Sequence, residues 1–292
     1  MTRDIYAKAP ARVGGAQSRM SRRALLRLGF TARARADIDY DGVTERVRAG
    51  WERDGHESLL RAIEPAAGVL VELAEVGPGQ RVLDAAAGDG NVAAAALARG
   101  AAVDACDLAP AMVERGRARC PDARWRTADV QELPYGDGAF DAVLSSFGAV
   151  LAPRARRAAH ELVRVARPGG VVALTAWIPR GLPGRLDEFV EQLAPLPDGV
   201  RSPAEWGVQA VARERLEPLL DGVQLRTRTV PLTFPDADAF FAALVHPTPL
   251  GADERITFRG VFDQLLASCN NVPPPAVQVD GRYLIAIGRR PA

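Results

Sequence analysis

Hydrophobic and polar positions follow two alternating periods over residues 80–178, and this pattern predicts a sheet with helices between its strands. Short apolar runs bounded by turn residues predict buried parallel strands, at 82–84, 101–106, 123–127, 140–147 and 171–177. Helical spacing fills the intervals, at 93–97, 109–119 and 155–167. Strict alternation of strand and helix is typical of a doubly wound α/β sheet with right-handed crossovers.

Helical patterns dominate on both sides of this region. Val43, Val47 and Trp51 recur every four residues and predict one helix. Pro65 suits the first position of a helix, so two further helices are predicted, at 57–63 and 65–76. Beyond residue 178 the pattern predicts four helices and two strands: helices at 186–193, 204–220, 237–245 and 254–268, strands at 223–234 and 277–288.

The changes of pattern divide the chain into five segments. They are a mobile basic leader (1–36), a helical segment (37–78), an α/β core (79–178), an insertion (179–222), and a last segment of strands and helices (223–292). Four phenylalanines of the late helices are predicted to form lid core, with pocket lining as the alternative: Phe240, Phe241, Phe258 and Phe262.

The leader is rich in arginine, and Ser21-Arg22-Arg23 superficially resembles a twin-arginine export signal. However, the apolar stretch that follows, 24–30, is short and is broken by Arg27. Export signals carry a longer uncharged core. We therefore predict a cytoplasmic protein.

Composition narrows the class of protein further. The 292 residues carry a net charge of +1, which gives no general attraction to nucleic acid or to anionic membranes. The three cysteines are scattered, so we predict neither a disulfide framework nor a metal site. This use of cysteine is typical of a protein in a reducing compartment. No apolar run approaches the roughly 20 residues of a membrane-spanning helix.

The turn after the first core strand carries the candidate chemistry. Gly88 and Gly90 can adopt positive φ, and the alanines before them let a ligand approach the backbone. Such a turn binds ligands at the carboxyl end of a strand. Gly88, Gly90 and Ala93 also fit the dinucleotide pattern G-x-G-x-x-A, and Asp107 ends the next strand where a ribose-binding acid belongs. At this point a nicotinamide cofactor remains open.

Four motifs, in order along the chain, favour a different cofactor through their resemblance to a known family. Residues 82–91 (VLDAAAGDGN) and 106–112 (CDLAPAM) resemble the first two motifs of class I S-adenosylmethionine-dependent methyltransferases. Residues 128–134 (ADVQELP) with Phe140-Asp141 resemble the next, and 161–170 (ELVRVARPGG) resembles the helix and turn before strand five. The sequence is most similar to the ubiquinone/menaquinone-biosynthesis type and its small-molecule relatives.

The resemblance implies a Rossmann-like, seven-stranded, mostly parallel sheet with helices on both faces and a helical lid. Its last strand would be antiparallel and would insert between strands five and six. The resemblance also implies that 37–78 cover the cofactor site, that 179–222 are a lid insertion, and that 223–292 complete the sheet and the substrate pocket. The sequence departs from the family at Ala86 and Ala87, where glycine and cysteine are common. Both residues are small, so we expect the close approach of the cofactor to be kept.

The resemblance also implies residues for the methionine end of S-adenosylmethionine. Asp84 would position the amino group, and Ser145 would lie near the methionine part. Ser146 and Phe147 would lie toward the methyl group and the substrate. The backbone of the turn would pack against the methionine part and the sugar, through Ala86, Ala87, Gly88 and Gly90.

The nucleoside end would be bound by the next two strand ends. Asp107 would accept from the ribose hydroxyls, with Leu108 and Met112 against the adenine. Asp129 would accept from the exocyclic amine, and the Val130 N–H would meet a ring nitrogen.

These residues predict metal-independent methyl transfer to an oxygen, nitrogen or carbon atom of a small molecule, with S-adenosylhomocysteine as product. The donor arrives activated, so positioning is the protein's main task. His56 and His246 are candidate bases, and no catalytic residue is assigned. Two alternatives remain, a nicotinamide-dependent oxidoreductase and a non-methylating protein that binds the same cofactor. The oxidoreductase alternative gives no role to Asp129 or to the turn at 167–170.

Overall fold

A seven-stranded sheet organises the part of the chain described by this computed structural model, residues 38–245 and 250–292. The strands are β1 (Arg81–Ala85), β2 (Ala102–Asp107), β3 (Arg124–Thr127), β4 (Phe140–Ser146), β5 (Ala166–Trp177), β6 (Asp221–Phe234) and β7 (Val277–Arg289). Their order is β3-β2-β1-β4-β5-β7-β6. Strands β1 to β5 pair in parallel, and β7 is antiparallel to both β5 and β6. The predicted fold class and the place of the last strand are confirmed.

Helices cover both faces of the sheet. They are α1 (Tyr40–Trp51), α2 (Glu57–Leu73), α3 (Asn91–Leu97), α4 (Pro110–Arg119), α5 (Ala155–Val165), α6 (Leu182–Leu193), α7 (Gln209–Leu216), α8 (Ala237–Val245) and α9 (Ala252–Cys269). One apolar core joins α2, α3, α4, α6, α8 and α9 to one face, and a second joins α5 and α7 to the other. The basic leader predicted at 1–36 lies outside the described residues.

Two predicted helix boundaries are wrong. The helices predicted at 57–63 and 65–76 are a single helix, α2, with Pro65 inside it. A proline removes one backbone hydrogen bond from a helix. Here Leu60 and Ile63 before the proline and Leu70 after it belong to the same core, so the continuous apolar face outweighs that loss.

The helix predicted at 204–220 is also corrected. Its first part is a 3-10 turn, Pro203–Gly207, which contains Trp206, and only Gln209–Leu216 is α-helical. Gly207 lies against the end of β5, where an added Cβ would stand 1.8 Å from the carbonyl oxygen of Trp177. That contact fixes the turn on the strand, and the extended Val208 then separates it from α7.

The late phenylalanines form a buried aromatic cluster. Phe240, Phe258 and Phe262 are at most 1% exposed, and the Phe240 and Phe262 rings meet edge to face with centroids 5.3 Å apart. Their interpretation as core is therefore the correct one. Among the residues that the structure describes, no helix has both the length and the apolar character that a membrane crossing requires.

Candidate functional site

A cavity opens where β1, β2 and β4 end. It encloses about 800 Å³ of empty space, part of which is open to solvent. The three strands are parallel neighbours, so their carboxyl ends meet at one edge of the sheet. This is the crevice in which open α/β sheets bind ligands. Ten predicted site residues line it: Asp84, Ala86, Ala87, Gly88, Asp107, Leu108, Asp129, Val130, Ser146 and Phe147.

Two buried carboxylates stand at the floor of the cavity. Asp107 accepts hydrogen bonds from the Gly88 N–H (2.8 Å) and the Ala109 N–H (2.9 Å), and Asp84 accepts one from the Ala93 N–H (2.9 Å). Asp84 is 1% exposed and Asp107 is 9% exposed. Burial raises the pKa of both carboxyls, that of Asp84 most strongly. Because burial disfavours their negative charge, a cationic or hydrogen-bond-donating ligand would stabilise the charged form of both carboxylates.

The backbone beside these carboxylates is left-handed at three positions. Ala86 has φ 54°, Gly88 has φ 57° and Phe147 has φ 62°. Residues other than glycine rarely adopt such angles, and where they do so they cluster at ligand sites. Gly148 explains how Ala86 and Phe147 come together, since an added Cβ there would lie 2.2 Å from the Ala86 carbonyl oxygen. The ends of β1 and β4 thus touch through backbone.

This close approach gives a testable prediction for stability. We expect Gly148→Ala to lower the free energy of unfolding by about 1–3 kcal/mol, because the methyl group overpacks the contact between two strand ends. Gly68→Ala in α2 is the matched control. Its added Cβ meets nothing within 4 Å, so it should raise the free energy by about 0.5–1 kcal/mol. Urea unfolding measures both, and equal effects of the two variants would contradict the backbone contact.

Aromatic side chains form the wall at the end of β4. The Phe147 ring stacks on Trp177 with centroids 4.1 Å apart and meets the edge of Tyr283 at 5.6 Å. The Phe147 N–H donates to Thr175 Oγ1 at 2.9 Å, which fixes the strand end. Beside it, Ser146 Oγ is buried and has no hydrogen-bond partner among the described residues. A hydroxyl of this kind at a cavity wall is available to a ligand.

Asp129 and Val130 form the opposite wall. The Asp129 carboxylate accepts from the Gln131 backbone N–H and from the Gln131 side-chain amide, both at 2.8 Å. A carboxylate has about four acceptor positions, so both oxygens can still accept from a ligand. Gln131 itself lines the cavity and is 2% exposed.

Three predicted cofactor residues do not line the cavity. Gly90 begins α3 with φ 94°, and its N–H donates to the Ala87 carbonyl. Met112 is 0% exposed and packs in the apolar core between one face of the sheet and its helices. Ser145 Oγ accepts from the Ala149 N–H at 2.9 Å, which caps the turn after β4.

The structure describes one of the two candidate bases. His56 is fully buried, and its ring packs on Trp51 with centroids 4.6 Å apart, outside the residues that line the cavity. His246 lies outside the described residues. Among the described residues, the titratable groups that line the cavity are the carboxyls of Asp84, Asp107 and Asp129.

The sequence analysis predicts helices over the site at 37–78 but does not name the side chains by which they line the cavity. Helix α1 places Thr44, Val47 and Trp51 along it, and α2 adds Leu60 and Ile63. The apolar spacing of Val47 and Trp51 predicts their helix but does not tell which side chains face a ligand. The residues 179–222, predicted as a lid insertion, contribute none of the described lining.

Known proteins share this sequence pattern and this fold. Residues 82–170 match the family described as Methyltransferase domain. An uncharacterised protein of Mycobacterium tuberculosis is 42% identical over 156 residues, 52% of this chain and 56% of the relative. A demethylmenaquinone methyltransferase of Beutenbergia cavernae is 44% identical over 93 residues, 32% of this chain and 39% of the relative. The chain thus spans about half the length, or less, of these two relatives.

A solved structure extends the likeness to a larger part of the chain. The YcgJ protein of Bacillus subtilis matches 78% of this chain and 99% of its own, with a TM-score of 0.56 and 22% identity. Identity at that level shows the fold alone. With the match over 82–170, the resemblance to class I S-adenosylmethionine-dependent methyltransferases of the menaquinone type is confirmed.

Proposed function

We propose that this protein transfers a methyl group from S-adenosylmethionine to a small-molecule acceptor. The observation that supports the proposal most directly is the convergence of Asp84, Asp107 and Asp129 on one cavity within the matched methyltransferase domain. The methyl donor carries a sulfonium, an ammonium, a carboxylate and a nucleoside. Three acceptor side chains in the described lining are complementary to its two cationic groups and to the hydrogen-bond donors of its ribose and adenine.

The residues present fit this cofactor on two further grounds. Gly88, with φ 57°, carries no side chain beside the buried carboxylates, so a ligand can approach the backbone of the turn closely. Ser146 Oγ is a buried polar atom that lacks a partner among the described residues. We assign Asp84 to the amino group, Asp107 to the ribose hydroxyls and Asp129 to the adenine amine.

The chemistry then depends chiefly on position. When bound, the cofactor supplies a methyl group already activated by its positive sulfur. The protein orients the donor through the carboxylates and the turn, and Val47, Trp51 and Leu60 exclude water from the cavity. Holding two reactants in line lowers a barrier substantially without a dedicated catalytic group. We assign no general base, since His56 does not line the cavity.

Binding calorimetry tests the first half of the proposal. S-adenosylhomocysteine and S-adenosylmethionine should each bind the full chain with one-to-one stoichiometry, and NAD⁺ should not bind at the same concentration. Binding of NAD⁺ in preference to both would replace the proposal with the oxidoreductase alternative.

Transfer itself needs a separate assay. The protein is incubated with methyl-labelled S-adenosylmethionine and a panel of phenols, amines and carbon acids, and label in the acceptor is measured. Labelled product with at least one acceptor class is the expected result. Binding without transfer to any class would favour the non-methylating alternative.

A further inference from the structure

Gln131 is a buried amide whose polar atoms all have partners. Its side-chain Nε2–H groups donate to Asp129 Oδ2 (2.8 Å) and to Thr44 Oγ1 (3.1 Å). Its Oε1 accepts from the Arg154 backbone N–H at 3.0 Å. With the side chain 98% buried, the geometry of these bonds fixes the amide in one orientation, because an unpaired buried donor is costly. Gln131 therefore joins the nucleobase side of the cavity to helix α1.

Thr44 is fixed in the same way at the other end of this connection. Its hydroxyl donates to the Tyr40 carbonyl at 2.9 Å, one turn back in α1, which leaves a lone pair for Gln131. Thr44 and Asp129 both line the cavity. We name the chain of side chains Thr44, Gln131 and Asp129 the cover relay. Its members lie 87 and 2 positions apart in sequence, so only the fold assembles it.

Helix α1 has few apolar contacts to hold it in place. Of its twelve residues only Val43 and Gly50 are buried. Its first turn is held by polar contacts instead: Asp41 pairs with Arg154 at 2.9 Å, and that guanidinium lies 4.8 Å from the centre of the Tyr40 ring. Elements with little buried apolar surface open at low free-energy cost. The relay is thus a substantial part of what seats α1.

We propose that Gln131 is a positioning residue that couples the seating of α1 over the cavity to recognition of the nucleobase by Asp129. With Thr44 in place, Gln131 aims the free acceptor positions of Asp129 into the cavity. A ligand amine that engages Asp129 in turn stabilises the seated helix, since the coupling is reciprocal. This inference rests on the proposed function, and it adds a role that neither the turn nor the carboxylates themselves supply.

Thr44→Val tests the relay with little change of shape. It removes one acceptor from Gln131 and should raise the Kd of S-adenosylhomocysteine about 5- to 20-fold, mainly through faster dissociation in stopped-flow experiments. Thr44→Ser keeps the hydroxyl and should restore binding to within about threefold of wild type. Thr257→Val is the matched control, because Thr257 makes the same bond one turn back, to the Asp253 carbonyl (3.1 Å), on the exposed face of α9. It should change Kd less than about twofold.

A selectivity measurement separates positioning from general loosening. S-inosylhomocysteine carries an oxygen in place of the exocyclic amine, so its exocyclic position can no longer donate to Asp129. The wild-type protein should prefer the adenosyl compound, and Thr44→Val should reduce that preference about threefold or more. An equal loss of affinity for both compounds would overturn the positioning role.

Hydrogen exchange supplies the second readout. S-adenosylhomocysteine should protect the amides of residues 40–51 in the wild-type protein and protect them less in Thr44→Val. Binding with no added protection there would overturn the coupling while leaving the proposed function intact. If the wild-type protein does not bind S-adenosylhomocysteine, the proposed function itself fails, and the two failures are therefore distinguishable.

Discussion

Asp107→Ala should weaken binding of S-adenosylhomocysteine about 10- to 100-fold, which corresponds to about 1–3 kcal/mol. Two effects add up. The change removes the acceptor that we assign to the ribose hydroxyls, and it releases the Gly88 and Ala109 N–H groups that the carboxylate now holds. The turn between β1 and α3 then loses its fixed conformation next to the ligand. Calorimetry at constant pH and ionic strength measures the effect.

A second carboxylate in the same sheet provides the control. Asp141 also accepts from a backbone N–H, that of Arg81 at 2.7 Å, and pairs with Arg167 at 2.7 Å. It lies at the start of β4, far along the strand from the cavity. Asp141→Ala should lower stability but change the Kd by less than about twofold. An Asp107→Ala variant that binds as well as this control would contradict the ribose assignment.

The convergence of the carboxylates could be predicted because it follows from strand ends. Asp84, Asp107 and Asp129 each come at or just after the end of a core strand, and parallel neighbouring strands bring those ends together. The pairing of Ala85 with Cys106 and of Asp107 with Thr127 is the register that this requires. The apolar runs predict the strand ends, and the family resemblance assigns the carboxylates at them to one ligand.

Side-chain direction was harder to predict than strand position. Ser145 and Ser146 are consecutive on β4, and side chains alternate between the faces of a strand. Only Ser146 reaches the cavity, whereas Ser145 caps the following turn. Met112 likewise lies on the face of α4 that packs on the sheet. A resemblance at the level of motifs assigns neighbours together, although geometry allows only one of them to face the ligand.

The cover of the site depends on contacts between distant segments. Gln131 lies in the loop between β3 and β4 and is buried there, with its amide paired to Thr44 and to the Arg154 backbone. Pro65 shows the same limit, since its local effect favours a helix start and the packing of α2 overrides it. The local sequence predicts neither the burial of Gln131 nor the continuation of α2 through Pro65, because the residues that stabilise them lie elsewhere in the chain.

Asp84→Asn should make the unliganded protein more stable at pH 7 while it weakens ligand binding. Burial is the main cause that raises the pKa of Asp84, the Ala93 N–H opposes it, and the charges of Asp107 and Asp89 add to it. The Asp84 carboxyl therefore binds its proton more tightly in the folded state than in the unfolded chain, where its pKa is near 3.8. Stability from this group is greatest below that pH and is lost as pH rises through the folded pKa.

The amide removes that penalty and can still accept from the Ala93 N–H. We expect the free energy of unfolding at pH 7 to rise by about 0.5–2 kcal/mol, with a gain that shrinks as the pH falls toward 3.8, because the unfolded wild-type chain then binds this proton as well. Affinity for S-adenosylhomocysteine should fall about tenfold, since the partner of the amino group loses its charge. Asp104 lies on β2 outside the cavity lining. Asp104→Asn should therefore neither raise the free energy of unfolding at pH 7 nor lower the affinity for S-adenosylhomocysteine. A variant at Asp84 that gains no stability, or that keeps full affinity, would show that this carboxylate serves the fold rather than the ligand.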